Sequence, residues 1–418
     1  MKTNVMGIVH RVVVTGTGAI TAVGKDVGET WSGIRDGKTG VHTIQRFDTS
    51  QHDTHFAAEI ADFDPTVLGR KEYRRMDRFT QFAVVASREA VAQSGLDIAA
   101  APERVGVLLG TGLAGVETFE STVETLYSKG PRRVSPFAVP MTIPNMAPGM
   151  VAIDIGAKGP AFTYSSAFAS AAHAIGEAAG MIRDGICDAA IAGGSEAPIT
   201  RIGLAGFSAM GALSTRNDDP EHAIRPFDGT RDGCVLVEGG AVLLLEDRDH
   251  ALARGATILA ELVGYGTATD AFHIVQLPEC GEGLVSSMRL ALEDASIAPR
   301  QIGYLNAHGT ATQMNDRVET TAIRQVFGNY ADSLPVSSTK AATGHLLGAA
   351  GSLEAIIAIE AMREGMLPPT LNQREADPDC DLDYIPNVAR AANVDYVMSN
   401  SMGFGGHNAV LIFAKANG

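Results

Sequence analysis

The stretch that most constrains this chain is Gly159 to Gly176, which reads GPAFTYSSAFASAAHAIG. A strand-like run from Ala161 to Tyr164 meets a cluster of small residues, and the alanine-rich segment beyond predicts a helix from about Ala169 to Ile182. A strand that turns sharply into a helix exposes one side chain at the helix N-terminus. Unpaired backbone N–H groups and the positive end of the helix dipole gather there. Such a place suits a thiolate nucleophile, because the local potential lowers a cysteine pKa. The side chain at this turn is Phe168, which cannot be a nucleophile.

The order of elements around that turn is repeated. Near residues 84–115 a helical stretch, VVASREAVAQSGLDI, leads through AAPER into a strand, VGVLLGTG. Near residues 285–312 a second helical stretch, VSSMRLALEDASI, leads through APRQ into IGYLNAHGTAT. Each half also carries a later apolar strand ending in small residues, DAAIAGGSE near 188–196 and VDYVMSNSMGFGG near 394–406. The repeat predicts an α/β protein built by duplication of one unit. The mostly apolar later strands predict sheets covered by helices on both faces. Residues 1–255 form the first half, with the turn at 168, and residues 256–418 form the second, with the notable histidines. The turn-rich ALSTRNDDPEH predicts that the region from about 200 to 250 lies on the surface between the halves.

Charge and cysteine content exclude several functions. The formal charge of −15 disfavours nucleic acid, whose phosphates demand clustered Lys and Arg. No apolar run is as long as a membrane span, and MKTNVMGIVHRVVVTGTGAIT lacks the layout of a signal peptide, so a cytoplasmic protein with no membrane association is expected. Cys187, Cys234, Cys280 and Cys380 have no metal-ligand spacing and are too few for a disulfide scaffold. One basic cluster stands out in the acidic chain: Arg70, Lys71, Arg74, Arg75 and Arg78, with Arg132 and Arg133 further on. The spacing of Lys71, Arg74, Arg75 and Arg78 predicts one helical face, either a solvated surface or a docking site for an acidic partner.

Two histidines lie at strand exits beside glycines, where functional residues collect. HGTAT places His308 at a Gly-Thr turn, and STKAATGHLLGAAG places His345 after Lys340 in a glycine-flanked segment. Two neutral imidazoles facing one cavity could donate hydrogen bonds to an enolate oxygen as it develops. Neither has a second ligand at zinc spacing, and GTGAIT and GTGLAG lack the third glycine and acidic residue of a dinucleotide site. No metal or bound cofactor is expected.

Taken together, VVVTGTGAITAVG, GPAFTYSSAFASAAHAIG, ALSTRND, RPFD, HGTAT, SSTKAATGHLLGAAG and NSMGFGGHN make the chain resemble a β-ketoacyl-acyl-carrier-protein synthase of the KAS I/II type, the ketosynthase/chain-length-factor family. The resemblance implies a thiolase-like fold with a five-layered αβαβα core, and a dimer. It implies an acyltransferase of fatty-acid or type II polyketide biosynthesis, in which a cysteine takes the acyl chain. Two histidines then promote decarboxylation of a malonyl group carried on the phosphopantetheine of acyl carrier protein. By motif, the histidines are His308 and His345, with Lys340 and Glu354 as supporting polar groups. Thr310 and Thr312 match the threonines that bind pantetheine, and Phe404 matches the gate of the acyl pocket. The backbone N–H groups of residues 168 and 404 match the oxyanion hole. Lys71, Arg74, Arg75, Arg132 and Arg133 match the basic patch that receives the carrier protein.

The departures cluster around one cavity. Phe168 holds the nucleophile position, Cys234 stands where the family places phenylalanine, Val237 where it places glycine, and Met402 where phenylalanine is common. Ring and thiol have in effect changed places at 168 and 234, and neither Ser166 nor Ser170 has an evident activating base in the sequence. The favoured reading is a non-condensing partner subunit, similar to a chain-length factor, paired with a cysteine-bearing ketosynthase. The alternatives are a synthase variant or inactivated mutant, a malonyl decarboxylase using His308 and His345, or a condensing enzyme with a relocated nucleophile. Chain-length factors often lose the catalytic histidines, whereas His308, Lys340 and His345 all remain.

Overall fold

A computed structural model describes residues 10–69 and 71–416. Ten strands form its framework: β1 (Val12–Ile20), β2 (Val105–Gly110), β3 (Ala161–Tyr164), β4 (Ala189–Glu196), β5 (Gly239–Asp247), β6 (Ala260–Thr269), β7 (Tyr304–Asn306), β8 (Val336–Ser337), β9 (Tyr396–Gly403) and β10 (His407–Lys415). Seven of the helices are α1 (Arg78–Ser94), α2 (Val116–Lys129), α3 (Ser170–Arg183), α4 (Arg201–Ala209), α5 (Glu282–Asp294), α6 (Gln313–Phe327) and α7 (Ala350–Glu364).

Hydrogen bonding sets the strands in the order β8-β7-β9-β10-β6-β1-β5-β4-β2-β3. The first half reads β1-β5-β4-β2-β3 and the second β6-β10-β9-β7-β8, the same path with five added to each number. The directions repeat as well. The β1/β5 and β5/β4 pairs are antiparallel and the β4/β2 and β2/β3 pairs parallel, and the second half follows suit. The two halves meet edge to edge only over Val12, Val13 and Val14 of β1 and their partners on β6. Duplication is thus visible in topology as well as in element order.

Three apolar clusters account for the layering. One packs α1 residues such as Phe79 and Phe82 on Ile20, Val107 and Leu244 of the first half. A second packs α5 and α6 residues such as Met288 and Ile323 on Leu305, Met398 and Ile412 of the second. The third lies between the halves and contains the small faces of α3 (Ala172, Ala174, Ala178) and α7 (Ala355, Ala358, Ala361). Alanine suits this layer because two helices and the two halves of the sheet must approach closely there. The helix read from Ala169 to Ile182 runs from Ser170 to Arg183, one residue later at each end.

The region from 200 to 250 departs from the surface expectation. Thr215, Asn217, Asp218 and Glu221 are exposed, but 223–228 and 233–247 are buried, and Gly239–Asp247 is a central strand. The apolar run AVLLL dominates the polar turn that precedes it. No helix among the described residues is long and apolar enough to cross a membrane.

Close contact between β1 and α1 depends on glycine. A Cβ at Gly18 would lie 1.9 Å from the carbonyl oxygen of Ala86, and one at Gly16 2.1 Å from that of Ala90. Gly18→Ala is therefore expected to push α1 off the sheet and cost about 1–3 kcal/mol, read as a lower urea midpoint at unchanged slope. An unchanged midpoint would show that the helix can yield freely.

Candidate active site

Strand β3 ends at Tyr164 and α3 begins at Ser170. The intervening turn is sharp because Ala167 adopts φ +49°, a left-handed conformation that alanine seldom takes. Gly403 of β9 makes room for it: a Cβ there would lie 2.5 Å from the Ser166 carbonyl oxygen and 3.0 Å from the Phe168 nitrogen. The turn aims Phe168 into a cavity of about 370 Å³ that is also lined by Cys234, His308, Thr310, Thr312, His345, Met402 and Phe404. The half-buried Phe168 ring meets Phe404 edge-on at 4.6 Å between centroids and His345 at 4.8 Å. Such aromatic pairing adds to the stabilisation from burial alone.

The second half supplies the polar wall. His308 leaves β7 on a turn clamped by the buried Glu319 of α6, whose carboxylate accepts the N–H groups of His308 and Gly309, each at 2.8 Å. His345 is held by its own N–H, which donates to the Val235 carbonyl at 2.8 Å. The two imidazole rings stand 5.4 Å apart at 82°. Lys340, 1% exposed, bonds to the His308 carbonyl and to Glu354, and its Nζ lies 3.4 Å from His308 Nδ1. Leu347 donates its N–H to His345 Nδ1 at 3.3 Å.

These contacts fix the tautomers. Each Nδ1 faces a donor, so the ring proton of both histidines belongs on Nε2. Burial, then the Lys340 charge, holds His308 well below the ordinary imidazole pKa, and the nearby His345 adds to the effect. Burial and Lys340 do the same to His345. Burial pushes the Glu354 carboxyl up to about 7, against the pull of Lys340. Two neutral Nε2–H donors therefore serve one cavity, an arrangement able to stabilise an enolate oxygen without first losing a charge.

The remaining expected site residues divide. Thr310 and Thr312 join hydroxyls at 2.9 Å on the cavity wall. Cys234 and Met402 also line the cavity. Burial pushes the Cys234 thiol up to about 12, far from a reactive thiolate. Val237 departs from the lining expected of it. Its side chain belongs to the central apolar cluster, and a Cβ on Gly344 would lie 3.2 Å from its own Cβ.

Lys71, Arg74, Arg75, Arg132 and Arg133 are exposed and make no ion pair among the described residues, whereas Arg70 lies outside them. They do not share a helical face with Arg78. Asp77 caps α1 through the Phe79 N–H at 3.2 Å, so residues 73–75 form only a single 3₁₀ turn. Arg78 is instead bound by Glu238 at 2.6 and 2.8 Å. The Arg75 guanidinium lies 5.2 Å from the centre of the Phe137 ring, which joins the segment at 71–75 to that at 131–137.

Several polar groups escaped the sequence reading. Ser166 has a base after all, since its Oγ lies 2.7 Å from His173 Nδ1, and His173 Nε2 lies 2.8 Å from Thr267 Oγ1. Burial, followed by the charge of His407, holds His173 down at about 4. Ser166 is not part of the cavity wall, however. Glu319 and Glu196 could have been suspected from a charged residue on an otherwise buried helix face and at the end of an apolar strand. Among the described residues no group of three or more His, Cys, Asp and Glu is placed to hold a metal ion.

Comparison with known proteins agrees with this architecture. Residues 9–251 match the family described as beta-ketoacyl synthase, N-terminal domain, and residues 259–374 match its C-terminal domain. A Staphylococcus aureus (strain COL) protein named 3-oxoacyl-[acyl-carrier-protein] synthase 2 is 50% identical over 407 residues, 97% of this chain and 98% of the relative. The solved structure of the ishigamide ketosynthase/chain length factor is similar with a TM-score of 0.92 and 36% identity, over 98% of this chain and 100% of that one. So is a type II PKS acyl-carrier protein in complex with its ketosynthase bound to the hexaketide, with a TM-score of 0.91, 32% identity and coverage of 98% and 100%. The chain belongs to the beta-ketoacyl synthase family, on the thiolase-like fold with duplicated halves, and within fatty-acid or polyketide synthesis.

Phe168 and Cys234 share both a cavity and an apolar cluster. Phe168→Cys alone is expected to lose about 2–3 kcal/mol by opening a void, less than full burial of the ring would give. Adding Cys234→Phe should recover more than the sum of the two single changes, read from melting of the four proteins. Strict additivity would show that the two side chains do not share space.

Proposed function

We propose that this chain is a 3-oxoacyl-carrier-protein synthase type protein that has lost self-acylation and retains the malonyl half of the reaction. The observation that carries the reading is the pairing of a phenyl ring at the acylation turn with two intact Nε2–H donors beside it. A malonyl thioester on phosphopantetheine would lie along Thr310 and Thr312 with its thioester oxygen toward His308 and His345. The bond between the carboxylate carbon and the methylene carbon breaks, its electron pair forms the enolate, and carbon dioxide leaves. In a condensing enzyme the enolate attacks an acyl thioester on cysteine. With Phe168 in that place the methylene carbon takes a proton, giving an acetyl thioester.

A relocated nucleophile has less support, since the Cys234 thiol is pushed up to about 12 and Ser166 is away from the cavity. The partner-subunit reading is favoured by the missing cysteine at 168 and by the likeness to the ishigamide ketosynthase/chain length factor. Against it stand the complete His308–Lys340–Glu354–His345 set and the higher identity to a synthase. Pairing as a homodimer or with a cysteine-bearing sister chain would need no new architecture.

Incubation with malonyl-carrier protein should release carbon dioxide and leave acetyl-carrier protein, with no β-ketoacyl product when acyl-carrier protein is added. His345→Ala should lower the release about 100-fold or more, the loss expected for one preorganised donor. Carbon dioxide release at the background rate would overturn the decarboxylase reading. Co-purification with a cysteine-bearing synthase, together with that background rate, would favour the partner subunit.

The exposed Lys71, Arg74, Arg75, Arg132 and Arg133 would receive the acidic carrier protein. Long-range attraction between opposite charges weakens with salt. Lys71→Glu with Arg74→Glu should raise the dissociation constant roughly 10-fold or more at low salt and flatten its salt dependence. An unchanged titration would remove the patch from the docking surface.

A further inference from the structure

Glu196 has no place in the chemistry above, yet it is 0% exposed. It ends β4 in the first half and accepts N–H groups from Gly112, from Leu113 at 3.4 Å and from Gly348 at 3.2 Å. Gly112 and Leu113 follow β2, whereas Gly348 belongs to the second half, three residues beyond His345. The two segments touch so closely that a Cβ on Gly348 would lie 2.4 Å from the Gly112 nitrogen and 2.5 Å from Glu196 Oε1. One carboxylate thus ties the loop of His345 to the other half of the molecule.

The tie acts one residue from the bond that sets the histidine. Leu347, between His345 and Gly348, is held at φ +45°, a conformation a leucine leaves unless its neighbours fix it. In that conformation its N–H reaches His345 Nδ1. We propose that Glu196 is a positioning residue: by fixing Gly348 it holds Leu347 in its left-handed conformation, and so keeps the His345 proton on Nε2, facing the cavity. Without that anchor Leu347 can relax, its N–H turns away, and Nδ1 is free to carry the proton instead.

The effect on rate rests on the decarboxylase reading, but the tautomer does not, and it is measured without turnover. With 15N-labelled histidine, the unmodified protein should show His345 with a protonated Nε2 and a bare Nδ1. His345→Asn identifies the signal. In Glu196→Gln the amide offers fewer acceptor lone pairs to the clustered N–H groups, and His345 should shift toward the Nδ1–H form. His308, held by Lys340, should not change. A folded Glu196→Gln protein with unaltered His345 nitrogen shifts would overturn the proposal. If carbon dioxide is released, kcat should fall about 10-fold with little change in KM, as when the competent form drops to a tenth of the population.

A second measurement needs no variant. Burial places the Glu196 carboxyl at about 7. Glu238, next to the cross-strand partner Gly239, is paired with Arg46 and Arg78. The elements packed against β4 also carry Glu246 and Asp247 on β5, His173, Glu177 and Arg183 on α3, Arg78, Arg88 and Glu89 on α1, and Glu354, Glu360, Arg363 and Glu364 on α7, with Lys340 and His345 before α7. As pH falls through that range, the amide signals of Gly112 and Gly348 should move with one common midpoint, and the His345 tautomer should move with them. Amide signals that titrate separately, or a tautomer that stays fixed while both amides move, would contradict the coupling.

Discussion

The site depends on a buried lysine. Lys340 reaches the His308 carbonyl, the His308 ring and Glu354 at once, and both lysine and glutamate are almost fully withdrawn from solvent. Removing charge from water is costly, and only close pairing with further hydrogen bonds offsets it. That cost is accepted where it does chemical work. The lysine points a donor at His308 Nδ1, so the proton sits on Nε2, and its charge helps keep both imidazoles neutral. The histidines are therefore ready as hydrogen-bond donors rather than as acids.

The duplication explains how the rest is brought to that point. In each half, the helix that follows the short parallel edge strand runs through the central layer: α3 after β3, and α7 after β8. The turn before α3 presents Phe168 and the segment before α7 presents His345, so the corresponding connections of the two halves face one cavity with different chemistry. Glu196 and Gly403 cross between the halves at the same place, one by hydrogen bonds and one by leaving out a side chain. An aromatic ring at 168 then closes against Phe404 and meets the His345 ring edge-on.

Much of this was legible in the sequence because it is local. The strand-turn-helix at 159–176, the repeated helix–strand order and the histidines beside glycines all show within a few residues. The resemblance by motif added Lys340 and Glu354. What stayed hidden was carried by long-range contact. Glu196 binds N–H groups 84 and 152 residues away, and nothing in its own segment names them. His173 lies only seven residues from Ser166, but the pairing depends on the left-handed Ala167 turn, which no side chain announces. The basic residues at 71–78 misled through spacing alone, because the Asp77 cap starts the helix after most of them. Val237 likewise stands in the right motif but faces the central core.

The central claim is that the site carries out the malonyl half-reaction and cannot take an acyl chain. Intact-mass measurement of the protein after incubation with acyl- and malonyl-carrier protein in D₂O tests both parts together. The account predicts an unmodified protein mass and acetyl-carrier protein bearing one solvent deuterium on its methyl group, since the enolate collects its proton from solvent. An acyl adduct on the chain, or a β-ketoacyl-carrier product, would contradict it.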